Sequence, residues 1–169
     1  MNRLVLWVAQ GFGVGRLPFA PGTWGTLVGT GWVLTLVASG SFTAFALGTL
    51  AGLVLSVRWC GAAEILLREQ DPPSVVLDEI AALPLAFLGW LAWRQMHGGF
   101  PSVAALVDAH GLGLTLLAFG FFRVLDIAKP WPIRGSQSLP GGWGVTVDDV
   151  LAALGVNLLW VAAAWAGWL

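Results

Sequence analysis

Long runs of apolar residues separated by short polar segments dominate this chain. A membrane-crossing α-helix needs about 20 mostly apolar residues, with a working range of roughly 17–25. The pattern predicts five apolar helices, at residues 23–39, 42–67, 80–93, 104–122 and 150–169. The first is short and interrupted by glycines, so the sequence leaves open whether it crosses completely. The third reaches the needed length if its helix begins at Pro72.

Capping patterns predict where three of these helices begin. Asp71 followed by Pro72 is typical of an N-cap and the first helical residue. Thr146 and Asp149 have the spacing of a capping box, which predicts a helix start just before the last apolar segment. Thr23 is placed to cap the first apolar helix.

The composition supports a membrane-embedded chain. Of the 169 residues, 57% are hydrophobic and 10% are charged, against roughly 25% charged residues in soluble domains. The chain contains 11 Trp and no Tyr, and the Trp ring suits the level of the lipid headgroups. These values exclude an ordinary soluble domain. They predict a single domain over residues 1–169 with a compact all-α fold and four to five membrane-embedded helices.

The charges predict an orientation. Three connections between the apolar segments are rich in charge, Gly and Pro, at residues 10–22, 68–79 and 123–149, whereas those at 39–41 and 94–102 are poor in charge. Five spans in order place the rich connections on one face. Most basic residues fall on that face, which predicts that it is cytoplasmic. The net charge of −1 offers no basic excess for nucleic acid, so no such partner is expected.

Basic and acidic side chains spaced three apart follow the fourth apolar segment. If its helix continues, Arg123, Asp126 and Lys129 lie on one helical side. Such a set suits phosphate binding, although a juxtamembrane ion pair explains it equally. The glycines of residues 11–25 permit close approach of backbone N–H groups to an anion, or form a plain turn at the membrane entry.

Two adjacent acidic pairs lie at the edges of apolar segments: Asp78 with Glu79, and Asp148 with Asp149. Such pairs are expensive near a bilayer unless they are hydrated, paired or bound to a cation. A divalent cation with hard oxygen ligands would relieve their mutual repulsion. Solvated helix starts explain both pairs without a ligand. A single Cys and two His on the opposite face favour neither a zinc site nor a Ser-His-Asp triad.

Taken in order, four motifs resemble those of the bacterial phosphatidylglycerophosphatase A family: GFGVGRLPFAPGTWGTL, DPPSVVLDEI, FRVLDIAKPWPI and GGWGVTVDDV. The set runs from Gly11 to about Ala153. The resemblance implies an all-helical, Mg²⁺-dependent enzyme of the bacterial inner membrane with a cytoplasm-facing site. Its implied reaction removes the terminal phosphate of phosphatidylglycerophosphate to give phosphatidylglycerol. Alanines at 81–82 and 152–153 stand where the family usually has a glycine.

The resemblance also implies roles for individual residues. The implied ligands of one or two Mg²⁺ are Asp78, Glu79, Asp148 and Asp149. The implied phosphate contacts are Arg123, Lys129, Gly22 and Thr23, the last two in a loop over the phosphate. The implied catalytic residues are Arg123, Asp126, Lys129 and Asp149, with Asp126 a further metal ligand or a base. Water and a carboxylate both remain open as the nucleophile.

Other interpretations of the same charges are a phosphatase of another lipid or prenyl phosphate, a small ion-binding transporter, and a scaffold oriented by its charged loops. A transport pathway predicts charges spread through the bilayer. Here they cluster on one face, apart from Arg58 and Glu64. A scaffold explains the topology and leaves the four ordered motifs unexplained.

Overall fold

The computed structural model describes residues 2–169, and every regular element in that range is helical. The elements are α1 (Asn2–Ala9), the 3₁₀ segment Gly11–Arg16, α2 (Pro21–Val37), α3 (Phe42–Leu67), α4 (Leu77–His97), α5 (Ala104–Val107), α6 (Ala109–Ala128), α7 (Ile133–Ser136) and α8 (Gly142–Trp165). The predicted all-α fold is confirmed.

Each predicted apolar segment forms helix, with shifted ends. The second is confirmed as α3, whereas the fourth is split at Asp108, whose side chain accepts a hydrogen bond from the Gly111 N–H at 2.8 Å and caps α6. By length and apolar composition, α3, α6 and α8 can cross a membrane. The α2 helix, with 17 residues, is at the short end of the spanning range, and α4 includes charged residues at both ends, so four to five embedded helices stays a prediction. The α4 helix packs against α2, α3 and α8.

The predicted helix start at Asp71 and Pro72 is wrong, since α4 begins at Leu77. A residue that precedes proline is disfavoured in the α conformation, and Pro73 imposes this restriction on Pro72. Residues 71–76 form a turn instead, which is anchored where the Val76 N–H donates to the Ala9 carbonyl at 3.0 Å. Asp78 therefore lies in the first turn of α4.

The capping box predicted at Thr146 is also wrong, because α8 begins earlier, at Gly142. Glycine has a low helix propensity, so the sequence favoured a loop there. Packing reverses that preference: a Cβ on Gly142 would collide with the Val57 carbonyl of α3, so only glycine permits this close approach. Thr146 is buried inside α8, and its hydroxyl lies 3.0 Å from that of Ser56.

Polar contacts join α8 to α4 through the centre of the bundle. The Asn157 side chain donates to the Leu85 carbonyl at 2.8 Å and accepts from the Gly89 N–H at 2.6 Å. Nearby, the Trp160 indole donates to the Ala86 carbonyl at 2.7 Å. These bonds join side chains of α8 to backbone groups of α4 in the turns that follow its internal proline, Pro84.

The charge-rich connections meet at one end of the bundle. Gln10 donates to the Ser74 hydroxyl at 3.0 Å, and Gln137 donates to Asp71 at 3.0 Å, so all three connections are linked. At the charge-poor end, the Phe42 and Phe100 rings lie 6.3 Å apart. The grouping predicted from the alternating connections therefore exists in the folded chain.

Candidate active site

The acidic and basic residues predicted from the sequence converge where three helices meet. Asp78 and Glu79 lie in the first turn of α4. Arg123 and Asp126 lie in the last turns of α6, and Lys129 follows at its C-cap, with a left-handed φ of 43°. The last pair, Asp148 and Asp149, is buried in α8.

Three carboxylates form the centre of this site. Asp78, Glu79 and Asp149 each place an oxygen within 4.8 Å of the others. Within residues 2–169, Asp78 Oδ1, Glu79 Oε2 and Asp149 Oδ1 are buried and have no hydrogen-bond partner. Buried charges ordinarily have partners or hold metal ions. Unpaired carboxylate oxygens are hard ligands, so this set fits a divalent cation such as Mg²⁺.

Asp148 occupies a different place from its neighbour. Its Oδ2 accepts a hydrogen bond from Lys129 Nζ at 2.5 Å, and it lies outside the group of three carboxylates. Lys129 Nζ also lies 3.8 Å from Asp71. Burial lowers the pKa of Lys129, but the hydrogen bond and charge of Asp148 outweigh it, so this pKa lies above its usual value. The ammonium is therefore charged at the edge of the site.

Arg123 joins α2, α4 and α6. Its Nη1 donates to Asp126 Oδ2 at 2.5 Å and lies 3.5 Å from Glu79 Oε1. The same nitrogen donates to the Thr26 hydroxyl at 3.4 Å. The Arg123 side chain is 14% exposed, so it lies mostly inside the protein, where Asp126 and Glu79 are its acidic partners.

A cavity of about 290 Å³ opens beside the carboxylates and Lys129. Arg123 is not among the described residues that line it, but contacts Glu79 and Asp126, which are. This volume is close to the lower limit of ligand sites, about 300 Å³. The lining residues come from the turn before α4 and from the facing ends of α4, α6 and α8: Asp71, Pro72, Pro73, Val75, Asp78, Glu79, Asp126, Ile127, Lys129, Asp148 and Asp149. Carboxylates and an ammonium therefore face a space in which a small phosphorylated group can bind.

The glycine-rich segment contacts the turn before α4, and part of that turn lines the cavity. The 3₁₀ segment packs against the turn before α4, and a Cβ on Gly11 would approach Val76 to 2.8 Å. Thr23 does not cap α2, because that helix begins at Pro21 with Ala20 as its N-cap. Gly22 lies beside Glu79 and Arg123. A Cβ added to Gly22 would lie 3.0–3.1 Å from the guanidinium nitrogens of Arg123. Contact of Thr23 with phosphate stays a prediction.

We expect Gly22→Ala to lower the rate of phosphate release. The added methyl group would collide with Glu79 Oε1 and displace Arg123, and misplacement by about 1 Å reduces rates by up to about 10²-fold. Gly31→Ala in the same helix is the matched control, because its Cβ meets nothing within 4 Å. This control should keep full activity and gain about 0.5–1 kcal/mol of stability. Equal activity of both variants would contradict the expected role of Gly22.

Two residues at the site, Thr26 and Asp71, were not predicted from the sequence as site residues. Thr26 is fully buried against Arg123, but a threonine in an apolar helix carries no distinguishing sequence signal. Asp71 was interpreted as a helix cap, whereas it lines the cavity near Lys129. The one signal for Asp71 was its place beside two prolines, which disfavour a helix.

The family of the chain follows from comparison with known proteins. A model of the family described as Phosphatidylglycerophosphatase A matches residues 7–164. The chain belongs to the phosphatidylglycerophosphatase A family. No solved structure matches it significantly.

Three relatives of this chain have names that state a lipid phosphatase activity. Phosphatidylglycerophosphatase A of Haemophilus influenzae is 33% identical over 150 residues, covering 87% of this chain and 80% of the relative. A putative phosphatidylinositol-3-phosphatase of Bacteroides thetaiotaomicron is 33% identical over 162 residues, covering 94% and 92%. Phosphatidylglycerophosphatase A of Escherichia coli is 27% identical over 151 residues, covering 87% and 76%.

Membership of the phosphatidylglycerophosphatase A family assigns the class of activity. The protein is a hydrolase that acts on lipid phosphates. The three long apolar helices found within residues 2–169 agree with a membrane location. The transporter and the scaffold are thereby set aside in favour of an enzyme.

Proposed function

We propose that this protein removes the terminal phosphate of phosphatidylglycerophosphate, giving phosphatidylglycerol, with Mg²⁺ as its cofactor. The observation that carries the proposal is the group of buried, unpaired oxygens on Asp78, Glu79 and Asp149, beside the charged Arg123 and Lys129. Such a group combines a cation site with positive charge for phosphate oxygens. The names of two relatives support the choice of lipid.

In this proposal, each residue of the site has a defined task. Asp78, Glu79 and Asp149 hold the cation, while Arg123 and Lys129 bind phosphate oxygens. A bound Mg²⁺ supplies charge that stabilises the transferring phosphoryl group and activates water. Asp148 positions Lys129 through their 2.5 Å hydrogen bond, rather than sharing the cation with Asp149.

Hydrolysis breaks the bond between the terminal phosphorus and the glycerol oxygen. With water as nucleophile, its oxygen joins phosphorus, one proton goes to a base, and the leaving oxygen gains a proton. Asp126 is the proposed base because it lines the cavity, and with Oδ2 bonded to Arg123 its Oδ1 is left to accept a proton. A carboxylate nucleophile would instead form a covalent phosphoenzyme, detectable by rapid quenching.

We place the site on the cytoplasmic face of the bacterial inner membrane. The basis is the charge-rich end of the bundle, which holds most of the basic residues and the cavity. A lipid substrate can then keep its acyl chains in the bilayer while its phosphorylated headgroup enters the cavity from the membrane surface. Release of phosphate by sealed inside-out vesicles, and its absence from intact spheroplasts, would test this orientation.

The test of function is phosphate release by the purified protein in detergent, with Mg²⁺ or with EDTA. The panel contains phosphatidylglycerophosphate, phosphatidylinositol 3-phosphate, phosphatidic acid and a prenyl phosphate. We expect the highest kcat/KM on phosphatidylglycerophosphate, with activity lost in EDTA and restored by Mg²⁺. Preference for the phosphoinositide would favour the activity named for the Bacteroides relative. Full activity in EDTA would overturn the cation site.

A further inference from the structure

A second pocket at the charge-rich end of the bundle is formed by α1 and the 3₁₀ segment that follows it. Its volume is about 530 Å³, within the usual range of ligand sites, about 300–1,000 Å³. The described residues that line it are two arginines and three apolar residues: Arg3, Leu4, Leu6, Trp7 and Arg16. None of these lines the acidic cavity, and none carries a negative charge. We call this space the arginine pocket.

Both arginines of this pocket have unused charge. Arg16 Nε donates to Gln10 Oε1 at 2.7 Å, and within residues 2–169 its two terminal nitrogens have no hydrogen-bond acceptor. In the same range neither Arg3 nor Arg16 forms an ion pair. Gln10 is itself fixed, because its Nε2 donates to the Ser74 hydroxyl at 3.0 Å. The guanidinium of Arg16 is therefore held through one nitrogen and has two nitrogens left for an anion, and its planar shape matches phosphate oxygens.

The packing of α1 places the arginine pocket near the end of a long apolar helix. Ala9 is fully buried in a cluster with Ala63 of α3, and Leu6 and Leu67 pack against that cluster. Because α3 is long and apolar enough to cross a membrane, its last turn lies near the level of the lipid headgroups. The pocket beside that turn is then within reach of lipid phosphates.

Apolar side chains beside the two arginines are exposed. Leu4, Trp7 and Phe12 are 55%, 47% and 53% exposed, and the Trp7 and Phe12 rings lie 4.9 Å apart in an edge-to-face arrangement. Exposed apolar patches mark interaction surfaces. Basic residues together with Leu, Phe and Trp on a short helix are typical of a segment that lies in the membrane interface. Charge and apolar surface together therefore favour a lipid as the ligand.

We propose that the arginine pocket binds the headgroup phosphate of an anionic phospholipid of the surrounding bilayer, in addition to the lipid that enters the acidic cavity. Arg3 and Arg16 pair with the phosphate oxygens, while Leu4 and Trp7 contact the first carbons of the acyl chains. A zwitterionic lipid binds less well, because its cationic headgroup is repelled by the same two arginines. The bound lipid thereby holds α1 at the membrane surface.

The experiment measures the melting temperature of the purified full chain in a neutral detergent with increasing amounts of dioleoylphosphatidylserine. Dioleoylphosphatidylcholine and inorganic phosphate are the comparison probes. EDTA is present throughout, because the unpaired carboxylates of the cation-free acidic cavity repel an anion. A ligand that binds only the folded state raises the melting temperature, so we expect a saturable rise with phosphatidylserine and little change with either comparison probe.

Variants assign this rise to the arginine pocket. Arg3→Gln and Arg16→Gln should each weaken the apparent affinity for phosphatidylserine by about fivefold, the contribution of one basic residue near an anionic membrane surface. Arg16→Lys keeps the charge and loses the planar pair of donors, so its affinity should lie between those of wild type and Arg16→Gln. Arg134→Gln is the matched control, because Arg134 is an exposed basic residue of the charge-rich end outside this pocket, and it should bind as wild type does.

Three outcomes would overturn the lipid site. The first is an equal rise with phosphatidylcholine or inorganic phosphate, which would show no preference for an anionic lipid. The second is an equal loss of affinity in Arg134→Gln, which would show attraction by general surface charge. The third is no rise in wild type. Because the experiment measures no turnover, its result is independent of the proposed function.

Discussion

Asp149→Asn is expected to abolish phosphate release and, at the same time, to make the cation-free protein more stable than wild type. Asp149 shares a buried space with Asp78 and Glu79, and one oxygen of each has no hydrogen-bond partner among residues 2–169. Without a cation, neutralising one carboxylate relieves repulsion among the three. With a cation, the same change removes a ligand. Activity and stability should therefore respond in opposite directions.

The expected loss of kcat is at least about 10³-fold. This loss is equal to or larger than the loss of kcat, about 10²–10³-fold, that follows removal of one preorganised electrostatic group. In EDTA, the melting temperature of the variant should exceed that of wild type. In a chain of this size, each kcal/mol gained in the free energy of unfolding raises the melting temperature by about 2–4 °C. Addition of Mg²⁺ should raise the melting temperature of wild type, because a ligand that binds only the folded state stabilises it. The variant should show little of this increase.

Asp148→Asn is the matched comparison, because it makes the same change at the adjacent residue. Asp148 is paired with Lys129 rather than grouped with the three carboxylates. Its neutralisation should therefore destabilise the protein in EDTA and preserve most of the stabilisation by Mg²⁺. If both variants lost that stabilisation to the same extent, Asp148 would be a cation ligand as well, against the arrangement proposed for the site.

Lys129→Met is the second change for which we expect a large effect. It removes the ammonium group that pairs with Asp148, whose side chain is 2% exposed. Loss of one partner from a buried ion pair costs about 3–5 kcal/mol, because the remaining charge has no compensation. Phosphate release should fall by about 10²–10³-fold because a positive group that stabilises the phosphoryl transition state is lost.

A double-mutant cycle separates these two effects of Lys129→Met. The double variant Lys129→Met with Asp148→Asn carries no uncompensated charge at this position, so it should recover most of the lost stability. It should stay inactive, because the charge that we propose to bind phosphate is still missing. Chemical unfolding in detergent gives the stability, and phosphate release gives the activity. If Lys129→Met alone were as stable as wild type, water rather than Lys129 would compensate the negative charge of Asp148.

Local sequence was sufficient to predict several parts of this protein. The apolar run of α3 matched the helix from Phe42 to Leu67 because its length and composition leave no competing structure. Spacing placed Arg123 and Asp126 on one side of α6, since three residues along a helix return to nearly the same side. The alternation of charge-rich and charge-poor connections predicted that polar groups collect at one end of the bundle. Each long helix carries the chain from one end of the bundle to the other, so alternate connections lie at the same end.

Other features depend on packing between distant segments. Asp148 and Asp149 are adjacent and chemically identical, yet one faces Lys129 and the other faces Asp78 and Glu79. Successive residues differ by about 100° around a helix, so the rotation of α8 against α4 and α6 sets their different surroundings. The helix start at Gly142 likewise depends on close contact with α3, which no local pattern records.

The sequence of this chain therefore specified the helices, the polar end and the residue types of the site, because these follow from local periodicity and from the cost of placing charge in lipid. It left open which carboxylates lie close enough to share a cation, that Thr26 contacts Arg123, and that Asp71 lines the cavity near Lys129. Those relations join residues far apart in the chain. They arise when helix packing brings the residues to within a few ångströms and water is excluded between them.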